Sequence, residues 1–283
     1  MTICEKAHAK INLYLAVGQK RADGFHDICT YMRRVSLADD LTCTFLPAEE
    51  THVCVATEGA AVALPADEHN LAAQGAMAVL KAAGVTAQVT IRLVKRIPSA
   101  AGLGGGSSDA AAAMRAANRY LQGRYTDAQL QALAADIGSD VPFFITGQPA
   151  VCRGRGEILT PLAPAFEGWC VLVPGAEPSA TGPAYAALDR ARLTSGMETP
   201  PLPDFTRYLP RDIHNDFEAP VSALCPSVPR HLAMLRRAGA QTVAMSGSGS
   251  AVFGLFSTEK HAVQAATQLV GQGIYGAQVT RLL

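Results

Sequence analysis

Alternating apolar and polar residues predict β-strands in both halves of the chain. The alternation is clearest in Gln88–Val94, where Val89, Ile91 and Leu93 fall on one face. A short polar break at Ala38 and Asp39 separates two further strands. The remaining predicted strands are Lys10–Val17, Tyr31–Leu37, Asp40–Phe45, His52–Thr57, Trp169–Val173, Thr242–Met245, Ala251–Phe256 and Ala277–Leu282.

Helical periodicity predicts helices between these strands. Asn70–Ala83 is rich in alanine and is stopped by Gly84, a typical helix terminator. A second helix, SSDAAAAMRAANRYL, follows a glycine-rich loop and has a serine or an aspartate available as its cap. Thr126 and Gln129 form a capping box for a third helix, which ends before Gly138. Further helices are predicted at Pro178–Leu188, Pro229–Ala238 and Glu259–Gly271.

The order of these elements indicates an α+β fold, because strands and helices mix without a regular βαβ rhythm. The 283 residues suffice for one large domain or two smaller ones. Gly147–Gly156 is turn-rich, and we predict a boundary there between residues 1–150 and residues 151–283. Arg21–Asp27 is predicted to form a turn, and the proline-rich tract Thr194–Pro210 is predicted to lie on the surface.

Composition excludes several classes of protein. Hydrophobic residues make up 49% and charged residues 17%, which is too apolar for an extended disordered chain. The 24 Lys and Arg residues balance 24 Asp and Glu residues, so the basic excess of a general nucleic-acid binder is absent. The sequence contains no signal-peptide core and no run of about 18 apolar residues, which predicts a protein without a membrane anchor.

The cysteines indicate a reducing compartment. They are odd in number and scattered, and none forms a CxxC pair, so we interpret them as small buried hydrophobes rather than disulfides or zinc ligands. The first strand is predicted within about ten residues of Met1, which leaves no room for a transit peptide. We therefore expect a cytoplasmic protein. The seven cysteines are Cys4, Cys29, Cys43, Cys54, Cys152, Cys170 and Cys225.

A glycine-rich loop directly before a helix is the strongest chemical signal. Its glycines permit left-handed backbone and close approach to a ligand, and the helix adds unpaired N–H groups and a positive dipole end. The loop lacks the GK[ST] of a Walker A motif and the pattern of a Rossmann fingerprint. We therefore predict a different phosphate cradle rather than a plain turn. Its residues are Pro98, Ser99, Ala100, Ala101, Gly102, Leu103, Gly104, Gly105, Gly106, Ser107 and Ser108.

A second glycine cluster, Ser246-Gly-Ser-Gly-Ser250, lies between two predicted strands. By itself it is equally consistent with a hairpin turn. Together with the first loop it is a candidate second wall around a phosphate-rich ligand.

Three segments, in this order, resemble the GHMP kinase superfamily of small-molecule kinases. They are the lysine-bearing strand in AKINLYLAVGQKRADGFHDICT, the loop PSAAGLGGGSSDAA and the late segment MSGSGSAVFGLF. The segments KRADGFH, IGSDVPFF, GRGE and HNDFE are similar to one branch of it, the kinases of a cytidyl-diphosphate alcohol. The resemblance extends from Ala9 to Phe256.

This resemblance implies a two-lobed α+β fold with a ribosomal-protein-S5-like N-terminal lobe and a ferredoxin-like C-terminal lobe. It also implies ATP and substrate in the intervening cleft, with ATP and Mg²⁺ as cofactors. The implied reaction is phosphorylation of the 2-hydroxyl of cytidyl-diphospho-methylerythritol in the non-mevalonate isoprenoid pathway. Two alternatives remain open: another GHMP kinase for a homoserine- or mevalonate-like alcohol, and a non-catalytic nucleotide- or RNA-binding module.

The resemblance also assigns the catalytic pair. Phosphoryl transfer to an alcohol needs a proton acceptor and positive charge at the transferred group. By resemblance Asp140 is the base and Lys10 the cation that holds the substrate hydroxyl. The residues alone favour a turn-capping aspartate and a lysine at a solvated strand end. ATP is assigned to the glycine-rich loop and to Asn70, although Asn70 also suits a simple helix cap.

By resemblance, the cytosine ring stacks on Phe25 and its edge bonds to His26, with Tyr185 as the opposite aromatic wall. Phe25 departs from the tyrosine that is common in the family. Asn12, two residues after Lys10, is a candidate contact of the substrate or of Asp140. Asp109 is interpreted as a helix cap, a substrate contact or both, and His214, Asn215 and Asp216 as structural. The sequence names no Mg²⁺ ligand and leaves the oligomeric state open.

Overall fold

The computed structural model describes residues 1–164, 167–177, 179–195, 199, 202–203 and 213–283. The chain forms two compact units, each built from separated stretches. Unit 1 comprises residues 1–9, 37–99 and 104–148, and unit 2 comprises residues 10–36, 100–103 and 149–283. The lobes expected at residues 1–150 and 151–283 stay a prediction. Pro178 and most of the predicted excursion Thr194–Pro210 lie outside the described residues.

The long strands β1 (Thr2–Lys20) and β2 (His26–Pro47) each contribute residues to both units. Ala38 and Asp39 lie inside β2, so the predicted polar break there is wrong. Asp39 is fully buried, and its carboxylate accepts hydrogen bonds from the Lys95 ammonium and the Ile97 amide. A polar residue with such partners does not need solvent, and the strand continues.

In unit 1, three strand segments form a sheet. The second half of β2 pairs antiparallel with β4 (Ala87–Val94), and β4 pairs parallel with β3 (His52–Glu58). Alternate residues of β4 are buried, and Val89, Ile91 and Leu93 have no exposed surface. This confirms the face predicted from the sequence.

Unit 1 also contains four helices. They are α1 (Leu71–Ala83), α2 (Gly105–Tyr120), α3 (Asp127–Ala134) and α4 (Val141–Thr146). The backbones of α1 and α2 approach closely, because a β-carbon on Gly75 would lie 2.3 Å from the carbonyl oxygen of Ala110. The alanines of α2 are buried for the same reason: only small side chains fit between these helices. The predicted capping box of α3 is confirmed.

Unit 2 contains an antiparallel sheet in the order β11–β7–β10–β9. Its strands are β7 (Trp169–Val173), β9 (Thr242–Met245), β10 (Val252–Phe256) and β11 (Gln278–Arg281). The predicted strands Thr242–Met245 and Ala251–Phe256 correspond to β9 and β10, which pair antiparallel. The helices of this unit are α5 (Thr181–Ser195), α6 (Glu218–Leu224), α7 (Ser227–Arg237) and α8 (Glu259–Gly271).

Short elements complete unit 2. The segment predicted as turn-rich contains β5 (Ala150–Arg153), which pairs with the first half of β2 and with β6 (Ile158–Pro161). The two-residue strand β8 (His214–Asn215) pairs parallel with β1 at Tyr14 and Leu15. The sequence pattern missed β5, β6 and β8, because segments of two to four residues seldom show a clear periodicity.

None of the seven cysteines forms a disulfide bond. Five are buried, as interpreted from the sequence, while Cys4 and Cys54 are exposed. Burial raises the pKa of Cys43 to about 12, so its thiol is held protonated.

Candidate active site

The glycine-rich loop is a run of turns and bends that leads into a helix at Gly104. Gly102 and Gly104 have φ values of 77° and 70°, a left-handed conformation that favours glycine. Gly104 is the N-cap of α2, and no side chain caps this helix. The prediction that a serine or Asp109 caps it is therefore wrong. The glycines already provide the turn, so α2 begins at Gly105 and its first N–H groups keep no side-chain partner.

The other two glycines of the loop provide close packing rather than a left-handed turn. Gly105 and Gly106 lie in the first turn of α2. A β-carbon on Gly106 would lie 2.9 Å from Cδ1 of Leu71, and one on Gly105 would lie 3.1 Å from Cγ2 of Ile97. Both contacts are tighter than normal packing, so these positions suit glycine.

A buried charged triad lies at the base of the loop in unit 1. Its members are Asp39, Lys95 and Asp109, whose side chains are at most 5% exposed. The Lys95 ammonium donates to both carboxylates, and its distance to Asp109 Oδ2 is 2.6 Å. Lys95 precedes the loop and Asp109 follows it, so their ion pair joins the two ends of the loop.

The triad carries two acids and one base, and this imbalance changes their protonation. Burial raises the pKa of Asp109 to about 7, and Asp39 adds to this shift while Lys95 opposes it. Burial opposes the charge on Lys95, but the two carboxylates outweigh it and raise the pKa of the ammonium. Oδ1 of Asp109 is buried and has no hydrogen-bond partner among the described residues. Asp109 is therefore a charged-pair partner of Lys95 rather than a helix cap.

The middle of the loop contacts Lys10 within unit 2. The Lys10 side chain is buried, and its ammonium donates to the carbonyl of Gly102 at 2.8 Å and to Oδ1 of Asn12 at 2.6 Å. The amide of Lys10 also donates to the carbonyl of Leu103 at 3.0 Å. Asn12 in turn donates to Oγ1 of Thr30 at 2.7 Å. The expected solvated position of Lys10 is wrong, because the loop and Asn12 enclose it.

The second glycine cluster forms the turn between β9 and β10 and meets the same part of the loop. Oγ of Ser246 donates to the carbonyl of Gly102 at 3.0 Å. The amide of Ala251 donates to the carbonyl of Ala101 at 3.1 Å. A β-carbon on Gly102 would lie 2.0 Å from the carbonyl oxygen of Ser246, so the two segments are in direct backbone contact. The second glycine cluster is therefore a hairpin turn that packs directly on the loop, and its role as a wall around a ligand stays a prediction.

The HNDFE segment holds this turn in place. The side-chain amide of Asn215 donates to the carbonyls of Met245 and Gly247, both at 2.8 Å. Asp216 accepts hydrogen bonds from the amide of Val17 and from the guanidinium of Arg192. These bonds support the structural interpretation of the segment.

Asp216 also pairs with His214, and each changes the ionisation of the other. Nε2 of His214 lies 2.6 Å from Oδ1 of Asp216. This hydrogen bond raises the pKa of His214 against a smaller effect of burial. Burial opposes the charge on Asp216, but its bonds to His214 and to the Val17 amide lower its pKa overall.

Asp140 and Asn70, the two other predicted site residues of unit 1, each stand directly before a helix. Asp140 is the N-cap residue of α4, but its side chain makes no capping hydrogen bond. The capping role that the residues alone suggested is therefore wrong, and Asp140 is half-buried. Asn70 is buried and caps α1, because its Oδ1 accepts from the amide of Ala72 at 2.9 Å. A role of Asn70 toward ATP stays a prediction.

The predicted base-binding residues lie in unit 2. His26 and Tyr185 stack with ring centroids 4.8 Å apart and 22° between the planes. Tyr185 also meets Phe217 edge-on, at 4.7 Å. Phe25 is 49% exposed, and the guanidinium of Arg155 lies 5.0 Å from its ring centre. The structure therefore brings His26 and Tyr185 together and leaves Phe25 at the surface.

Sequence reasoning missed the residue that binds His26. Nε2 of His26 lies 2.9 Å from Oδ1 of Asp189, a residue of α5. The side chain of His26 is 5% exposed and that of Asp189 is 34% exposed. No motif marks Asp189, since its contact depends on how α5 packs.

Comparisons with known proteins agree with the motifs. The family model of the GHMP kinases N terminal domain matches residues 70–148, and that of the GHMP kinases C terminal matches residues 202–274. A 4-diphosphocytidyl-2-C-methyl-D-erythritol kinase of Anaeromyxobacter dehalogenans is 40% identical, covering 100% of this chain and 90% of the relative. A kinase of the same name from Pelobacter propionicus is 39% identical, covering 96% of each chain.

Solved structures give the same result. A crystal structure of 4-(cytidine 5'-diphospho)-2C-methyl-D-erythritol kinase matches with a TM-score of 0.76 and 34% identity over 99% of both chains. The mevalonate kinase of L. major matches with a TM-score of 0.73 over 100% of this chain and 96% of that chain. Its 14% identity shows a shared fold alone.

The chain therefore belongs to the GHMP kinases, ATP-dependent enzymes that phosphorylate small molecules. Its full-length relatives narrow this membership to the group of the 4-diphosphocytidyl-2-C-methyl-D-erythritol kinases. The predicted family and the α+β GHMP kinase fold are confirmed, and the non-catalytic alternative is wrong. Among the described residues, none of the helices has the length and apolar character needed to cross a membrane.

Proposed function

We propose that this chain transfers the γ-phosphoryl group of ATP to the 2-hydroxyl of 4-diphosphocytidyl-2-C-methyl-D-erythritol, a step of the non-mevalonate isoprenoid pathway. Full-length identity of 40% to kinases of that name supports the substrate. The observation that carries the chemistry is the buried ammonium of Lys10, which bonds to the glycine-rich loop at Gly102. The Lys10 ammonium is thus hydrogen-bonded to the backbone of the segment that we assign to phosphate binding.

The glycine-rich loop and the start of α2 are proposed to bind the phosphates of ATP. The first N–H groups of α2 have no side-chain cap, and the positive end of its dipole favours an anion. Gly104 to Gly106 bring the backbone to the ligand without β-carbons in the way. This local field explains how a chain of zero net charge binds two polyanions.

Asp140 and Lys10 are proposed to act on the reacting groups. The hydroxyl oxygen of the substrate attacks the γ-phosphorus, its proton passes to the Asp140 carboxylate, and the bond to the bridging oxygen of ADP breaks. Lys10 stabilises the negative charge of the transferred group. A positioned base of this kind contributes about 10²–10⁴-fold to the rate.

Mg²⁺ is proposed as the partner of ATP, where it neutralises phosphate charge. The hydroxyls of Ser107 and Ser108, in the first turn of α2, are oxygen donors of the type that this hard cation accepts. The residues present therefore fit the ion, although phosphates and water usually provide most of its ligands.

The cytosine base is proposed to bind at Phe25, His26 and Tyr185, and Asn12 is proposed to contact the substrate. Tyr185 is already ordered by its contacts with His26 and Phe217. A stacked base gains about 1–3 kcal/mol from an aromatic ring. Seven cysteines without a disulfide bond suit a reducing compartment, so we propose that the enzyme acts in the cytoplasm.

ADP release in a coupled assay tests this function. We expect turnover with 4-diphosphocytidyl-2-C-methyl-D-erythritol, and none with mevalonate or homoserine at the same concentration. Asp140→Asn should lower kcat by at least about 100-fold. Asp136→Asn is the matched control, because Asp136 is an exposed carboxylate four residues earlier. Turnover of mevalonate or homoserine alone would contradict the substrate, and equal rates for the two variants would contradict the role of Asp140.

A further inference from the structure

Asp189 holds the His26 ring in one orientation. The bond between His26 Nε2 and Asp189 Oδ1, at 2.9 Å, is made by a ring that is almost fully buried. An ionised carboxylate only accepts hydrogen bonds, so Nε2 must carry the proton of this bond. Stacking on Tyr185 then fixes the plane of the ring.

The position of that proton decides what the other ring nitrogen can bind. A neutral imidazole has a single N–H, so a proton on Nε2 leaves Nδ1 with a lone pair. Nδ1 is then a hydrogen-bond acceptor. It suits an amino group on a ligand and opposes a carbonyl oxygen, which also presents lone pairs.

We propose that Asp189 is a positioning residue that makes His26 select an amino-bearing base over its carbonyl counterpart. The inference rests on the proposed function, in which His26 binds the edge of the cytosine. Cytosine carries an exocyclic amino group where uracil carries a carbonyl. Asp189 thereby sets the preference for a cytidyl over a uridyl diphosphate substrate, although it touches neither base.

Contacts on either side of Asp189 fix helix α5, so that the Asp189 carboxylate can orient His26. Arg192, one turn after Asp189, donates to the carbonyl of Val17 at 2.7 Å and lies 3.1 Å from Oδ2 of Asp216. Tyr185, one turn before it, packs on His26 and Phe217. Asp189 therefore lies between two anchored positions on the same face of the helix.

The first test compares variants by kcat/KM for the cytidyl substrate and for an analogue with uracil in place of cytosine. In Asp189→Ala the His26 proton can move to Nδ1. We expect kcat/KM for the cytidyl substrate to fall about tenfold, while the KM for ATP stays unchanged. The ratio of kcat/KM for the cytidyl substrate to kcat/KM for the uridyl analogue should fall at least tenfold. Asp189→Asn should restore most of the ratio, because its amide oxygen can accept the same bond. Arg190→Ala, an exposed neighbour on α5, is the matched control.

The second test needs no substrate. ¹⁵N NMR of the histidine ring should show the proton on Nε2 in the wild type and in Asp189→Asn, and a mixture of tautomers in Asp189→Ala. A wild-type proton on Nδ1, or an unchanged cytidyl-to-uridyl ratio in Asp189→Ala, would overturn the inference. Failure of the proposed function gives a different result: the wild type would then phosphorylate neither substrate, while the NMR spectra would still report on Asp189.

Discussion

Replacing Lys95 by methionine provides the most quantitative test of the loop architecture. The change removes the single cation of the Asp39–Lys95–Asp109 triad and leaves two carboxylates that are at most 4% exposed. Breaking a buried ion pair by removing one partner costs about 3–5 kcal/mol. Against a typical stability of about 5–15 kcal/mol this is a large fraction, so Lys95→Met should lower the urea midpoint strongly.

The comparison variant is Lys6→Met. Lys6 also pairs with an aspartate, Asp40, but their side chains are 62% and 35% exposed. An exposed pair contributes about 0–1 kcal/mol, so the same chemical change should have little effect there. Urea unfolding followed by far-UV circular dichroism measures both variants. A loss below about 1 kcal/mol for Lys95→Met, equal to that for Lys6→Met, would refute the reasoning.

The triad also predicts a pH dependence with a definite sign. Because the pKa of Asp109 is raised to about 7, the folded protein holds a proton there that the unfolded chain releases near pH 4. Stability therefore falls as the pH rises from about 4 to about 7, and this contribution is absent above pH 7. Asp109→Asn should remove that pH dependence. It should lower the free energy of unfolding far less than Lys95→Met, because Asp39 and Lys95 remain as an ion pair. An unchanged slope in Asp109→Asn would contradict the assignment.

Three further changes test the neighbouring features. Gly102→Ala should raise the KM for ATP and destabilise unit 2 by about 2–4 kcal/mol, because its β-carbon would lie 2.0 Å from a carbonyl oxygen of the serine-glycine turn, at a φ of 77°. Asn215→Ala should destabilise by about 3 kcal/mol, since it leaves two carbonyls and one amide without their bonds. Because its bond to Asp216 raises the pKa of His214, the protonated ring stabilises the fold. This contribution is complete below about pH 6.5 and is lost as the pH rises through the raised pKa.

Trp169 fluorescence during urea unfolding measures these three changes, because this tryptophan lies in unit 2. Gly239→Ala is the control for Gly102→Ala: Gly239 also lies in unit 2, its φ of 89° gives comparable backbone strain, and nothing lies within 4 Å of the added carbon. Equal losses for the two glycines would contradict the steric argument. Asn215→Asp, which directs a carboxylate at two carbonyl oxygens, should be worse than Asn215→Ala. In His214→Asn the fall in the free energy of unfolding above about pH 6.5 should disappear. If it persists, another group causes it.

Local chemistry made much of the fold predictable. Val89, Ile91 and Leu93 identify one face of β4 because burial on one side of a sheet enforces alternation. Gly84 ends α1 because its left-handed φ of 64° requires glycine. Both signals lie within a few residues of the feature they predict, which is why sequence alone carries them.

Features that depend on distant partners were not predictable. Asp39 looks like a strand break until Lys95, 56 residues later in the chain, is brought beside it. Lys10 looks solvated until Gly102, 92 residues later, encloses it. Likewise Asp189 has no signal of its own, because its partner His26 lies 163 residues earlier. In each case tertiary packing supplies the partner that reverses the local preference of a charged residue.

The interleaving of the two units has a consequence for how the chain acquires its structure during synthesis. Unit 1 is complete once residue 148 has been made, whereas unit 2 needs residues 10–36, residues 100–103 and everything from 149 to 283. At ~5–20 residues per second, residues 10–36 wait about 12 to 50 seconds for the rest of their unit. They carry Ile11, Leu13 and Val17, which are buried in the finished fold. The nascent chain therefore exposes an apolar strand through most of translation, and this stretch is where we expect a chaperone to bind.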